Sequence, residues 1–522
     1  MTLYSLLLAA VISATPEPSP RDVVVVCPVD LREGLAEWTQ HRQSQGYRIH
    51  LTASGATPDA VRLRVRKAAA GRSLAALVLI GDAASDDGTL DPGRCVPVAT
   101  VAARVNVRFG SEPEIATDAW YADLDDDGLP DVPVGRIPAD SAAELAAIAR
   151  RTVAYERSDD FSPWRQRIHF VAGVGGFGPV TDAGVQWAAE RLIARAVPPT
   201  YRTAMTHALP DSRYYPGADF RTHALGRLND GCLYFVYLGH GSPRGLHHQT
   251  GAAEPLLSTD NLSQVRCAAT GPIALLMACH VAAFDGPTDC IAEELLRCEA
   301  GPVAVIGGTR VTMPYGMAAL GAELAEQHFT RQCTTLGEML HQAKRATLTG
   351  ERSRGARAAL DVTAALLSPP PAELEQQRRE HVHLMQLIGD PLLQLSHPKR
   401  LELEAEAMVA AGAELYVEGT AEVSGRCTIE LVGPPLSGML DVNLEAKRSE
   451  ADGTLARYLR ANDPSLAAVE CRASEGRFEA VLKIPATALA GTCRLRVYIE
   501  GSGQWAAGSR PVQITRASAS ER

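Results

Sequence analysis

Three short runs of almost unbroken apolar residues, 233–238 (LYFVYL), 272–278 (PIALLMA) and 302–306 (PVAVI), stand out from the mixed pattern around them. Each is about strand length, and none alternates apolar with polar positions. Strands apolar on both faces belong to parallel sheets covered by helices. The same pattern begins at Asp22, where DVVVVC reads as a buried strand. Residues 31–46 then predict an amphipathic helix stopped by Gly46, and YRIHLT a second strand. TPDAVRLRVRKAAAG predicts a helix capped by Thr57 and ended by Gly71, with the strand LAALVLIGD after it. Strands alternating with helices in this way predict a parallel sheet with right-handed crossovers.

Residues 141–156 predict a further helix, and FSPWRQ a linker into a second subdomain. IHFVAGVGGFG follows as strand and glycine loop, then a helix over 183–196 and the strand TYRTAMTH. Residues 315–328 and 335–349 are helical in pattern, 353–380 is rich in Arg, Ala and Glu around PPP at 369–371, and HLMQLI is strand-like. From about residue 398 the period changes to two, in LELEAEAMVAAGAELYVEGTAEV, CTIELVG, FEAVLKIP and CRLRVYIEG, separated by Gly, Pro and Asp. That period argues for an antiparallel β-sandwich. The predicted organisation is an N-terminal segment over 1–20, an α/β subdomain over 21–160, a second α/β subdomain over 161–397 and a β-sandwich over 398–522.

Composition narrows the function classes. A net charge of −10 argues against a nucleic-acid footprint or a basic membrane surface. Eleven cysteines occur without a C-x-x-C pattern, so neither a disulfide scaffold nor a structural zinc site is indicated. Within the sandwich, Cys427, Cys471 and Cys493 leave room for one disulfide with its pairing open. The apolar stretch 3–14, ending in small residues and prolines, is like a signal-peptide core and too short for a membrane span. The expectation is a secreted or cell-envelope protein, the competing reading being an apolar N-terminal arm. Asp22 follows almost directly, so no long N-terminal pro-domain is expected.

What closes the apolar runs carries the chemistry. His240, between Gly239 and Gly241, lies just past the first run, and Cys279 just past the second. In open parallel sheets, chemistry gathers beyond the carboxyl ends of the strands. If these strands are neighbours, an imidazole and a thiol enter one crevice. A thiolate is the reactive form of cysteine, and a nearby imidazole raises its population. A single Cys and a single His are more often a core thiol and a loop histidine. Here, however, YLGHGS, ACHVAAFD, CIAEELLR and GPVAVIGGTR occur in order.

Those four blocks resemble the catalytic core of the gingipain family of cysteine peptidases, relatives of the caspases. LIGDPLLQLS at 387–396 is similar to the end of that module. The resemblance implies an α/β, caspase/gingipain-like parallel-sheet catalytic module of two subdomains, followed by a C-terminal immunoglobulin-like β-sandwich. It implies Cys279 as nucleophile, His240 as general base, and the N–H groups of Gly241 and Cys279 as oxyanion hole. It also implies a carboxylate orienting the histidine. Asp182 occupies that approximate place and would serve equally as a helix N-cap. TRVTMPYG resembles the loop lining the specificity pocket, with Met313 and Tyr315 as wall or as lid packing. Phe284 and Asp285 would shape the pocket floor and cap the helix that starts near Asp289. No residue can be assigned to the pocket base, so a preference for arginine or lysine is not inherited.

Two other motifs need weighing. Gly173, Gly175 and Gly178 satisfy G-x-G-x-x-G, but no acidic residue ends the next strand and Pro179 intervenes, which argues against a dinucleotide. In YADLDDDGLPD, Asp123, Asp125, Asp127 and Asp131 surround Gly128 with a spacing suited to one calcium ion, although the loop departs from an EF-hand. Gingipain-like chains are similar in carrying such a calcium-binding stretch, and a solvated acidic turn is the alternative. His247, His248 and His280 lack zinc spacing. The implied activity is a cysteine endopeptidase acting on protein or peptide substrates with no cofactor for catalysis. The rivals are a catalytically silent binding or surface-assembly relative and a thiol transpeptidase.

Overall fold

The computed structural model describes residues 21–83, 91–176, 189–249, 251, 254–267, 271–349, 356–367, 371–433 and 452–516. Strands β1 (Arg21–Val26), β2 (Tyr47–Thr52) and β3 (Leu74–Ile80) form the predicted first unit, crossed by helices Ala36–Ser44 and Pro58–Ala69. The Thr57 Oγ1 accepts the Ala60 N–H at 3.2 Å, so the second helix starts where its cap predicts. A hairpin of β4 (Thr100–Ala102) and β5 (Glu114–Ala116) precedes β6 (Val134–Ile137) and the helix Ala142–Arg157. The second half contributes β7 (Arg167–Ala172), β8 (Arg202–His207) and β9 (Tyr234–Leu238). A small antiparallel sheet of β10 (His240–Ser242), β11 (Gly245–His247) and β12 (Leu257–Ser258) follows directly. After it come β13 (Ile273–Met277), β14 (Ala304–Gly308) and β15 (Met385–Ile388).

The large strands join one ten-stranded sheet in the order β2-β1-β3-β6-β15-β14-β13-β9-β7-β8. All pairs are parallel except β14 with β15. β15 belongs in sequence to the second subdomain but runs parallel to β6 of the first. It therefore joins two parallel blocks back to back, and the two subdomains share one sheet. A buried ion network reinforces this joint. Arg42 donates to Glu156 at 2.8 Å and to Asp390 at 2.6 Å, and the Trp38 indole N–H also donates to Asp390. These partners come from the first helix, the helix Ala142–Arg157 and the turn after β15.

The C-terminal region is a sandwich. One sheet orders β16 (Leu401–Ala405), β18 (Glu414–Ala421) and β21 (Arg477–Lys483). The other orders β17 (Met408–Ala410), β23 (Trp505–Thr515), β22 (Gly491–Gly501), β19 (Gly425–Val432) and β20 (Ser465–Ala473). Its core holds Leu415, Val417, Ile429, Leu431, Leu495 and Val497, the inward residues of the period-two segments. The pairing is antiparallel apart from β17 with β23.

The helix Asp452–Asn462, unforeseen in the sequence, leaves the sandwich and covers the edge strand β8. The Asn462 amide accepts the Met205 N–H at 2.7 Å and donates to the Met205 carbonyl at 2.9 Å, as a neighbouring strand would. The predicted linker FSPWRQ is also a contact with the sandwich, since the Tyr498 hydroxyl donates to the carbonyls of Phe161 at 2.6 Å and Ser162 at 3.0 Å. No helix among the described residues is long and apolar enough to cross a membrane.

Candidate active site

The three apolar runs become β9, β13 and β14, adjacent and parallel. In the β9–β13 register Leu238 lies opposite Met277. His240 and Cys279 therefore each stand two residues beyond the same matched pair, at the carboxyl edge of the sheet. Both are half-buried.

The histidine is held from several sides. It opens the hairpin β10–β11, in which His240 lies opposite His247. The Tyr237 hydroxyl, buried beneath the hairpin, reaches the carbonyls of His240 at 3.0 Å and His247 at 2.8 Å. The imidazole Nε2 lies 3.1 Å from the carbonyl of Gly175. A carbonyl only accepts, so Nε2 carries the proton in this contact and Nδ1 is the basic nitrogen of the neutral ring.

Gly175 belongs to the glycine loop that matched a dinucleotide motif in part. The loop docks on the histidine hairpin: the Gly173 N–H donates to Leu238 at 2.8 Å and the Val174 N–H to His248 at 2.7 Å. A Cβ at Gly173 would sit 2.7 Å from the His248 carbonyl oxygen, so close backbone approach requires glycine there. Gly178 and Asp182 lie outside the described residues.

The cysteine is set in a tight turn. His280, immediately after it, adopts φ +57°, a left-handed conformation uncommon for a residue with a Cβ. The His280 N–H donates to Arg310 at 3.2 Å and the Ala282 N–H to Gly308 at 3.0 Å, lacing the turn to the segment after β14. Arg310 is fixed in turn by Asp285, with Nη1 to Oδ1 at 2.8 Å. Asp285 thus anchors this segment instead of capping the next helix. Burial lowers the pKa of His280, which favours its neutral form beside the thiol.

The sulfur of Cys279 is hydrogen-bonded to Thr312 and not to His240. The Thr312 N–H donates to Sγ at 3.3 Å, and Thr312 Oγ1 stands 3.5 Å away. Three successive amides of this loop are taken by side chains: Val311 by Ser111 Oγ at 3.3 Å, Thr312 by Cys279, and Met313 by His381 Nε2 at 3.0 Å. His381 comes from the helix Pro371–Leu384, which starts at the PPP run in a segment marked in sequence only by its richness in Arg, Ala and Glu. The roles of Ser111, Thr312, His381 and Gly175 were all missed: Gly175 and Thr312 act through backbone atoms, and the side chains of Ser111 and His381 reach this loop from segments far away in sequence.

Gly241 packs against the Cys279 backbone. A Cβ there would come within 2.5 Å of both the Cys279 carbonyl oxygen and Val281 Cγ1. Among the described residues no acceptor takes the Cys279 N–H. Met313 and Tyr315 are 5% and 8% exposed. The Tyr315 hydroxyl donates to Asp361 at 2.9 Å and accepts from Arg378 at 2.6 Å, and its ring packs with Ala364 and Leu374, so it joins three helices.

The acidic loop forms a separate cluster of carboxylates. Asp123, Asp125 and Asp131 each place an oxygen within 4.8 Å of the other two. Asp127 is not in that group, and its carboxylate accepts the Leu129 N–H at 2.8 Å. Asp123 accepts from the amides of Asp126 at 2.7 Å and Gly128 at 3.1 Å and pairs with Arg62 at 3.2 Å. Three carboxylates with free lone pairs on one turn fit a hard cation, with Arg62 as a competing charge.

A thiol and an imidazole thus stand beyond the matched ends of adjacent parallel strands. The chain belongs to peptidase family C25, whose model matches residues 16–396. It is 24% identical over 305 residues to Lys-gingipain of Porphyromonas gingivalis, an alignment covering 56% of this chain and 16% of that protein. The chain thus spans about a sixth of the length of the curated relatives it matches. Its fold is similar to the crystal structure of gingipain R, described as an Arg-specific cysteine proteinase. The TM-score is 0.53 at 17% identity, over 95% of this chain and 98% of the other. A structure described only as a protease gives 0.54 at 14% identity, over 95% and 98%.

Proposed function

We propose that this chain is a cysteine endopeptidase in which Cys279 is the nucleophile and His240 the general base. The observation that carries the proposal is the register of Leu238 opposite Met277, which gives both residues the same offset at the sheet edge. His240 takes the Cys279 thiol proton and becomes imidazolium, Sγ attacks a peptide carbonyl carbon, and the carbonyl π pair moves onto oxygen. The N–H groups of Cys279 and Gly241 receive that oxygen, each such donor being worth ~3 kcal/mol or more. Collapse expels the amine, which takes its proton from the His240 imidazolium. His240 then deprotonates water, which attacks the thioester and frees the acid and the thiol. The proton on Nε2, shared with Gly175, keeps Nδ1 as the exchanging nitrogen. Preference for lysine or arginine belongs to the named relatives and is not part of this proposal.

Calcium at Asp123, Asp125 and Asp131 is proposed as a structural ion, and export to the envelope or medium rests on the apolar stretch 3–14 alone. The test is cleavage of a diverse peptide library by wild type and Cys279→Ala, with calcium and with chelator. Cleavage by wild type alone supports the peptidase; ligation products with an added amine point to a transpeptidase. No turnover by folded protein counts against both. A melting midpoint unchanged by chelator and by added calcium sinks the ion.

A further inference from the structure

The sandwich contains a cysteine pair whose position the catalytic reading does not use. β19 and β20 are antiparallel neighbours, and in their register Cys427 lies directly opposite Cys471. Directly opposed residues on antiparallel strands point to the same face, with Cα atoms about 4.5–5.5 Å apart. That range lies inside the ~4.4–6.8 Å spanned by disulfides. Both side chains belong to the same core, Cys427 fully buried and Cys471 half-buried against it. Cys493, the third cysteine of the sandwich, lies opposite Val512 instead. Burial first, and then the adjacent Cys471, push the Cys427 thiol up, so the two sulfurs share one environment.

We propose that Cys427 and Cys471 form a cross-strand disulfide when the chain meets a disulfide oxidant, and that this bond staples the sandwich. The more accessible Cys471 reacts first. Its thiolate attacks one sulfur of an external low-molecular-weight or protein disulfide and releases one thiolate. Cys427 then loses its proton and attacks the Cys471 sulfur of the mixed disulfide, releasing the second. Two thiols of the chain are oxidised and one external disulfide is reduced to two thiols. The closed loop runs from residue 427 to residue 471 and includes the helix Asp452–Asn462, which covers β8. The staple therefore also secures the helix that protects the main sheet's edge.

The full chain would be incubated with glutathione disulfide, denatured in the presence of N-ethylmaleimide without reductant, and digested with trypsin. Cleavage after Arg426, Lys447, Arg460 and Arg472 gives two peptides, 427–447 and 461–472, each with a single cysteine. The proposal expects these two linked, and separated by dithiothreitol. It also expects a rise of about 5–10 °C in the melting midpoint on oxidation, absent in Cys471→Ser. Recovery of both peptides separately alkylated would overturn it, as would a link from either to a different cysteine. Because the map is made on the wild-type chain, the result stands even if a variant folds poorly.

Discussion

Replacing Gly241 by alanine perturbs the site sharply while removing none of its reactive side chains. The added Cβ would stand 2.5 Å from the Cys279 carbonyl oxygen, 2.5 Å from Val281 Cγ1 and 3.0 Å from Ala278 Cβ, where ordinary contacts begin at 3.4 Å. The two shortest contacts are each about 0.9 Å too close, and the partners are backbone and a β-branched side chain, neither of which yields easily. The hairpin β10–β11 must therefore retreat by on the order of 1 Å, taking the His240 backbone with it. A misplacement of that size costs about a hundredfold in rate, and loss of one oxyanion donor ~10²–10³ in kcat. The expected result for Gly241→Ala is a fall of ~10²–10³ in kcat with a much smaller change in KM, measured on a peptide that wild type cleaves. Alkylation of Cys279 by iodoacetamide needs no oxyanion hole and should fall by less than turnover does. Turnover within threefold of wild type would refute the role given to this contact.

Other residues give further predictions. His381→Ala removes the acceptor of the Met313 N–H and loosens the loop whose Thr312 N–H contacts the Cys279 sulfur; kcat on a cleaved peptide should fall several-fold with little change in KM, and His381→Gln should restore part of the loss. An unchanged kcat would show that this contact does not position the loop. Burial lowers His169, His341, His381 and His383 from 6.5 to about 4. The unfolded chain then binds protons that the folded chain does not, so stability is lost as pH falls from 6.5 towards about 4, by at most ~1.4 kcal/mol per pH unit for each histidine. A melting midpoint flat across that window contradicts the sign. Arg42→Met leaves Asp390 buried without its cation and Glu156 with His41 and Gln45 as its side-chain partners, and should cost ~3–5 kcal/mol in denaturant unfolding; a loss below ~1 kcal/mol would mean the network is not what holds the two blocks together.

Much of this was legible in the sequence, for identifiable reasons. Doubly apolar runs specify buried parallel strands, and β9, β13 and β14 are close to where 233–238, 272–278 and 302–306 place them. Cap and stop residues fixed the early helices, as Thr57 does. The antiparallel step at β15 was not readable, because a strand's direction depends on where the chain enters the sheet and HLMQLI is apolar either way. The helix Asp452–Asn462 was missed because the surrounding period of two set the expectation for the whole region. At the site, Cys279 and His240 were legible as residue types. Their supports, the Gly175 carbonyl and the amides of residues 311–313, were not, since any residue supplies a carbonyl or an amide. Tyr315 shows the limit of a resemblance, since its packing against Ala364 and Leu374 depends on distant helices.

The most direct test of the central claim is covalent capture of the nucleophile. The full chain would be treated with a peptidyl acyloxymethyl ketone series, and the adducts located by peptide mass spectrometry in wild type, Cys279→Ala and His240→Ala. The account predicts one adduct on Cys279 in wild type, none in Cys279→Ala, and labelling slowed by two or more orders of magnitude in His240→Ala. Equal labelling with and without His240, or an adduct that persists in Cys279→Ala, would contradict it.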